Sequence, residues 1–162
     1  NEDCLKIKSF ANDDEVVLLN EFKSLVINFM TTSYHHFCGH NIKEFDMPYI
    51  GRRMLINGIE LPPQLQFQNK KPWEMPLLDT MSFWKFGDYK NYTSLKLLAE
   101  VLGVPTPKDD IDGSMVADVY YNENNLQRIA IYCQKDVIAT VQVWRRLNSK
   151  LLIKTEHIEF VK

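Results

Sequence analysis

The sequence predicts an α/β fold in which helices flank a mixed sheet. Short apolar runs typical of strands alternate along the chain with longer runs that have the period of helices. The chain has 162 residues, of which 45% are hydrophobic, so a core can form without a disulfide or a structural metal. We therefore expect a single domain over residues 1–162.

Charge and cysteine pattern narrow the class of protein. The 19 basic and 21 acidic side chains give a net charge of −2. This argues against a protein that binds a long nucleic-acid duplex by charge alone. Recognition of a nucleic-acid end is compatible with this balance. The three cysteines are widely spaced and form no zinc pattern, which favours a reducing compartment and the cytoplasm. No apolar run approaches the ~20 residues that span a bilayer.

The chain opens with a predicted strand and a helix. Residues 5–10 alternate apolar and polar side chains as a short strand does. Asn12 or Asp13 is expected to cap a helix over about 14–31, because apolar residues then recur with helical spacing.

The next segment predicts a strand, a helix, a loop and a buried strand. The strand is expected over 39–42, and Pro48 suits the first turn of the helix, which ends at Asn57 and Gly58. Four of the seven prolines lie within 60–76, which predicts an ordered loop with no helix. Residues 77–81 are apolar enough for a buried strand.

The second half is predicted to be mainly helical. Thr93 or Ser94 caps a helix that ends at Gly103, a polar loop follows to Gly113, and a short helix covers 114–121. A long helix then begins at Asn122 or Asn125. Its expected inner face comprises Ile129, Tyr132, Cys133, Asp136, Val137, Thr140, Val141, Trp144 and Leu147. The tail over 151–161 is too mixed in pattern to assign.

Residues 39–50 form the first segment with potential chemistry. Asn41 follows a glycine-rich strand end, and Phe45 and Asp46 follow a tight bend. An acid at the carboxyl end of a strand lies where open α/β sheets form their functional crevice, so Asp46 is a candidate metal ligand. The structural alternative is that Asp46 caps the helix that Pro48 opens.

The long helix carries the second segment. A spacing of four residues places Tyr132 and Asp136 on one helix face, among residues expected to be buried. A buried carboxylate needs a cation or hydrogen-bond donors. The alternative is a tyrosine–aspartate pair near a helix end, or an ion pair with Lys135 or Arg128.

Together the two segments resemble the second and third motifs of the DEDD superfamily of 3′–5′ exonucleases, N-x-x-x-F-D and the Y-x-x-x-D of its tyrosine-bearing branch. The sequence around the two motifs is similar to that of predicted bacterial exonucleases related to the proofreading domain of family B DNA polymerases. The matching segments are PYI at 48–50, TSLKLLAEVLGV at 93–104, DIDGSMV at 110–116 and IYCQKDVIATVQVW at 131–144.

The resemblance implies a ribonuclease-H-like fold and phosphodiester hydrolysis at single-stranded 3′ ends with two Mg²⁺ or Mn²⁺ ions. By motif, Asp46 and Asp136 would be metal ligands and Tyr132 would orient the attacking water. Asn41 and Phe45 would position the terminal nucleotide, the latter by stacking. His40 is a further candidate contact to substrate, although loop histidines without such a role are commoner.

The first motif of the superfamily, an acid-x-acid pair, is expected upstream of the first strand and is not among these residues. Asp13, Asp14 and Glu15 have the right residue types in the wrong place, and we favour helix capping for them. We therefore expect the chain as given to lack part of its metal site and its first strands. It would then be catalytically incomplete by itself, although the parent protein is expected to be an exonuclease. A homodimer that covers the exposed sheet edge would compensate.

Two further features have alternative interpretations. Asp79 either borders the site or caps a turn. Aromatic residues alternate with lysines over 70–92, either as a stacking platform for single strands or, as we favour, as anchors of the long loop. These rings are Trp73, Phe83, Trp84, Phe86, Tyr89 and Tyr92.

Three functions remain in competition. We favour a nuclease that acts on DNA rather than RNA. The runner-up is a ribonuclease-H-like module that binds nucleic acid, or has a structural role, without turnover. The third is an unrelated α/β protein in which the paired motifs are structural.

Overall fold

The computed structural model describes residues 4–88, 90–105 and 111–161, and the chain forms two compact units. The terminal unit joins Asn1–Ala11 to Gly87–Lys162, and the middle unit is Asn12–Phe86. Within the described ranges, no helix is both long and apolar enough to cross a membrane.

The helices and strands alternate in the first half of the chain, and helices dominate the second. In order they are β1 (Leu5–Lys8), α1 (Glu15–Phe29), β2 (Phe37–Gly39), α2 (Asp46–Ile56), β3 (Leu77–Asp79), α3 (Thr80–Trp84), α4 (Leu95–Val101), α5 (Val116–Tyr121), α6 (Leu126–Leu147) and β4 (Ile158–Val161). Single 3-10 turns occur at Pro63–Leu65 and Thr155–His157.

In the terminal unit, α6 packs against α4 and α5, and the first and last strands pair. Strands β1 and β4 are parallel, with Leu5 opposite Ile158 and Lys8 opposite Val161. The buried apolar residues include Ile7, Leu98, Ala99, Val104, Ile111, Val119, Ala139, Val143 and Ile153.

The middle unit packs α1 and α2 beside a short parallel pair. Phe37 in β2 lies opposite Leu77 in β3, and Gly39 lies opposite Asp79. One apolar cluster fills its interior, formed by Leu19, Val26, Ile42, Met47, Met54, Ile59, Leu61, Leu65 and Leu77. Strands β2 and β3 end side by side, which brings the residues that follow them together.

The α/β class is confirmed, but the single mixed sheet is not. Among the described residues the strands form two separate parallel pairs, β1 with β4 and β2 with β3. Helix α3 was not predicted, and the loop over 60–76 contains one 3-10 turn. Residues 106–110 of the predicted polar loop lie outside the described residues.

Several element boundaries also differ from prediction. Asp14, not Asn12 or Asp13, caps α1, because its carboxylate accepts the backbone N–H groups of the first turn. Strand β2 lies about two residues earlier than expected, whereas α2 begins at Asp46 and has Pro48 in its first turn, as predicted. Ser94 and Asn125 cap α4 and α6, each one of two predicted alternatives.

The buried face of α6 differs from the predicted one. Cys133 and Val137 are exposed, whereas Gln142, a polar residue, is buried. Its amide exchanges two hydrogen bonds with the backbone of Ile153, at 2.7 and 2.9 Å. Gln142 is therefore buried because its side chain satisfies the N–H and C=O groups of Ile153. Hydrophobic periodicity cannot predict such a role.

Candidate functional site

The turn after β2 is built around a glycine and a left-handed asparagine. A Cβ on Gly39 would lie 2.7 Å from Cβ of the buried Ile42, so this close approach requires glycine. Asn41 has φ of +61°, and its carbonyl accepts the backbone N–H groups of Glu44 and Phe45. The chain therefore reverses within four residues and delivers Phe45 to the start of α2.

The carboxylate of Asp79 holds this turn in place. Its Oδ1 accepts the N–H of Asn41 at 3.0 Å, and its Oδ2 accepts the N–H of Lys43 at 3.3 Å. The same Oδ1 caps α3 through the N–H groups of Met81 and Ser82, at 3.0 and 3.2 Å. Asp79 is only 4% exposed, so these donors replace its solvation.

His40 is held from the same strand end. Its Nδ1 lies 2.9 Å from the hydroxyl oxygen of Thr80, which is fully buried. The Thr80 hydroxyl also lies within hydrogen-bond distance of the carbonyl of Gly39, at 3.3 Å. The imidazole is thereby oriented on the turn that carries Asn41.

Asp46 is the first residue of α2, and it is not its cap. The residue at the cap position is Phe45, and no side chain caps this helix. Burial raises the pKa of the Asp46 carboxyl above its ordinary value, and the charge of Asp79 raises it further, while a hydrogen bond from the backbone of Asp46 itself and the charge of His40 lower it. The capping alternative for Asp46 is wrong, because no side chain caps α2, and its carboxyl is half-buried.

Two side chains of the turn, those of Asn41 and Phe45, have groups that a ligand could contact. The Oδ1 of Asn41 is buried and has no hydrogen-bond partner among the described residues. A buried acceptor without a donor costs free energy, so a ligand that donates a proton to it would recover that cost. Phe45 is 64% exposed, and its ring is stacked on that of Tyr49, with centroids 6.0 Å apart.

The terminal unit carries the second motif on α6. Helical spacing places Tyr132 and Asp136 on the face that continues through Ala139 and Val143, both of which are buried. Tyr132 and Asp136 themselves are half-buried. A Cβ built on Gly113 would lie 4.0 Å from the Tyr132 hydroxyl, so the glycine-bearing loop before α5 runs close to that oxygen.

The described residues of each unit form no complete metal site. The described part of the chain contains no group of three or more His, Cys, Asp and Glu side chains that could hold one. Although Asp79 lies near Asp46, both of its oxygens already accept backbone N–H groups. The middle unit thus offers one carboxylate of the predicted pair, Asp46, and the terminal unit offers the other, Asp136.

Comparison with known families agrees with these motifs. Residues 1–154 match the family model described as a predicted 3′–5′ exonuclease related to the exonuclease domain of PolB. The chain belongs to this exonuclease family. Searches of curated proteins and of solved structures gave no match. DEDD-like exonucleases usually use divalent metals, and a nuclease family implies a nucleic-acid substrate.

The predicted site residues occupy both units. The structure brings together His40, Asn41, Phe45 and Asp46 on one turn of the middle unit, and Tyr132 with Asp136 on one helix of the terminal unit. Sequence reasoning left the role of Asp79 open, and it both caps α3 and holds the turn. Thr80 was missed as a partner of His40, because it lay inside the buried strand predicted over 77–81.

Asp14 and Glu15, in the acidic run at the start of α1, make structural contacts. Asp14 caps the helix, accepting the N–H of Val16 at 2.9 Å. Glu15 accepts two hydrogen bonds from the guanidinium of Arg53 and a third from the side chain of Asn57. The Arg53 hydrogen bonds hold the pKa of Glu15 below its ordinary value.

The aromatic residues over 70–92 contradict our preferred interpretation, in which their rings anchor the long loop to the core. Trp73 is 77% exposed and Phe86 is 85% exposed, and Phe83 and Tyr92 are also exposed, so these rings do not anchor the loop in the core. The Lys71 ammonium lies over the Trp73 ring. Tyr89 lies outside the described residues.

Proposed function

We propose that the full-length protein hydrolyses single-stranded DNA from the 3′ end, and that residues 1–162 contribute a ribonuclease-H-like domain to it. The observation that carries the proposal is the turn from Asn41 to Asp46. It combines an unpartnered amide oxygen, an exposed ring and a half-buried carboxyl within six residues. These are the groups needed to hold a nucleotide beside a reacting phosphate.

The proposed roles follow the motifs of the family. Asp46 and Asp136 are ligands of Mg²⁺ or Mn²⁺, which prefer carboxylate oxygens and stabilise charge on a phosphodiester. Tyr132 orients the attacking water through its hydroxyl. Asn41 and Phe45 hold the terminal nucleotide.

The raised pKa of Asp46 supports a role for it in ion binding. A carboxyl that is costly to ionise when empty gains more from a cation than one already neutralised by donors. The carboxylate of Asp79, in contrast, already accepts hydrogen bonds from four backbone N–H groups. His40 is proposed as a substrate contact, since its ring is oriented by Thr80 on the same turn.

The test incubates the full-length protein and Mn²⁺ with a 5′-labelled single-stranded DNA oligonucleotide. The products are read as a ladder that shortens from the 3′ end. Asp46→Asn and Asp136→Asn are each expected to lower the rate more than about a hundredfold, the upper end of what outer-shell partners of metals cost. Glu60→Gln and Asp118→Asn are matched controls, because both remove exposed carboxylates of the same two units. An unchanged ladder with both motif variants would refute the proposal.

Substrate type is tested in the same assay with an RNA oligonucleotide of the same sequence. We expect faster digestion of DNA. Equal or faster digestion of RNA would overturn the preference for DNA and leave the nuclease proposal in place.

The second candidate is a non-catalytic module that binds nucleic acid. It is favoured by the observation that neither unit alone clusters three metal-binding side chains in its described part. It predicts oligonucleotide binding that is insensitive to Mn²⁺, and an intact oligonucleotide after long incubation.

A further inference from the structure

The outer face of α2 carries two aromatic rings and an arginine at helical spacing. Tyr49 follows Phe45 by four residues, and Arg52 follows Tyr49 by three, so the three side chains lie on one face. Phe45 is 64% exposed, Tyr49 is 55% exposed, and Arg52 is also exposed. We call these three residues the aromatic strip.

The two rings of the strip are parallel and accessible. Their planes are inclined by 11° and their centroids are 6.0 Å apart, about one helical turn. Flat, exposed, parallel rings suit planar ligands, and every nucleobase has a face that can stack on them. Bases offer that face in a single strand, whereas in a duplex it is covered by neighbouring pairs.

Arg52 supplies the charge that such a ligand requires. Its neighbour Arg53 is neutralised by Glu15, which accepts two of its hydrogen bonds. Within the described residues Arg52 has neither an ion pair nor a hydrogen bond, so its guanidinium is available to a phosphate.

We propose that the aromatic strip binds the last two nucleotides of a single-stranded nucleic acid, with Phe45 under the terminal base, Tyr49 under the next base and Arg52 on a phosphate. This inference rests on the proposed function and adds Tyr49 and Arg52 to its substrate-binding residues. The centroid spacing of 6.0 Å exceeds the ~3.4 Å between stacked bases. Two neighbouring bases therefore have to unstack to reach both rings, which favours thymine-rich over adenine-rich strands.

The test measures binding of a fluorescein-labelled oligothymidylate to the full chain by anisotropy, with EDTA present to prevent hydrolysis. Tyr49→Ala is expected to weaken binding about fivefold or more, because base–aromatic stacking is lost, and Tyr49→Phe is expected to bind like the parent. Tyr34→Ala is the matched control, since it removes an exposed tyrosine of the same unit.

Thymidine 5′-monophosphate separates the two rings. It occupies only the terminal position, so Phe45→Ala is expected to weaken its binding, whereas Tyr49→Ala is expected to leave it unchanged within about twofold. An oligoadenylate of equal length is expected to bind more weakly than the oligothymidylate.

Salt dependence tests Arg52. Arg52→Gln is expected to reduce the slope of log affinity against log salt by about 0.7, the value for one phosphate contact on a single strand. Lys23→Gln, which removes a cation from α1, is expected to leave the slope unchanged.

The outcomes distinguish this inference from the function on which it rests. Suppose that the parent binds the oligothymidylate, and that Phe45→Ala weakens this binding but Tyr49→Ala does not. The proposal that the aromatic strip binds two nucleotides is then wrong, and the proposed function is unaffected. If the parent binds no single-stranded oligonucleotide, both fail. An unchanged salt slope for Arg52→Gln overturns the phosphate contact.

Discussion

The Asp79 carboxylate should contribute to stability in proportion to the donors on each of its oxygens. Oδ1 accepts N–H groups from Asn41, Met81 and Ser82, whereas Oδ2 accepts only that of Lys43. Asparagine keeps one oxygen and replaces the other with an NH₂ group. Asp79→Asn can therefore retain three of the four hydrogen bonds, and Asp79→Ala retains none.

The expected magnitudes follow from the number of hydrogen bonds lost. A hydrogen bond contributes about 1 kcal/mol net, and a buried N–H left without an acceptor costs about 1–3 kcal/mol. Asp79→Ala is therefore expected to lower the free energy of unfolding by about 4 kcal/mol. Asp79→Asn is expected to lower it by about 1–2 kcal/mol, from one lost bond and the weaker acceptance of a neutral oxygen.

Urea denaturation measures these losses, and Asp14→Ala provides the control. Asp14 caps α1 through two N–H groups but is exposed and binds no second segment, so its loss should cost only about 1 kcal/mol. Hydrogen exchange adds a local readout, because the amide of Lys43 should lose protection in Asp79→Asn while that of Met81 keeps it. Equal destabilisation by the two Asp79 variants would refute the assignment of three donors to one oxygen.

Three further perturbations test the packing of the units. Gly39→Ala should cost about 1–3 kcal/mol, because its Cβ would lie 2.7 Å from a buried isoleucine, whereas Gly51→Ala in α2 meets no atom within 4 Å and should be neutral or stabilising. A double-mutant cycle of Glu15 and Arg53 should give only a small coupling free energy, since both side chains are partly exposed. Because the folded-state pKa of Glu15 is lowered, this coupling should be present above its ordinary pKa and be lost as the pH falls through the folded-state value. Gln142→Leu should cost about 2–4 kcal/mol by leaving two backbone groups unsatisfied.

Each of these perturbations has a contrary result that would contradict it. Thermal or urea unfolding that is unchanged by Gly39→Ala would mean that the turn relaxes freely. A coupling between Glu15 and Arg53 that grows as the pH falls would reverse the sign of the linkage. Stabilisation of the chain by Gln142→Leu would show that the backbone groups of Ile153 form hydrogen bonds with other partners.

The candidate site residues could be found in the sequence because their signals are local. Asn41, Phe45 and Asp46 lie within six positions, and Tyr132 and Asp136 are one helical turn apart, so short segments carry the resemblance to the exonuclease motifs. The family match over residues 1–154 confirms the resemblance that these motifs carry. Their roles in substrate and metal binding stay predictions.

Tertiary contacts decided what Asp46 and Asp79 do. Both are aspartates beside a helix start, and capping preference alone made Asp46 the better cap. In the folded chain Asp79 directly precedes α3 and receives the donors, whereas Asp46 is the first residue of α2 and caps nothing. The difference depends on β2 and β3 ending side by side, a pairing between segments about forty residues apart that no local pattern contains.

The sequence by itself determined helices α1, α2, α4, α5 and α6, the caps of α4 and α6 as one of two alternatives each, and the motifs that carry the family resemblance, because propensity, capping and periodicity act over a few residues. Only the tertiary structure decided the strand pairing, the exposed parallel rings on α2 and the burial of Gln142 against Ile153. Those features depend on which distant backbone groups need a partner once the chain has folded, and hydrogen bonds between distant segments leave no periodic signal in the sequence.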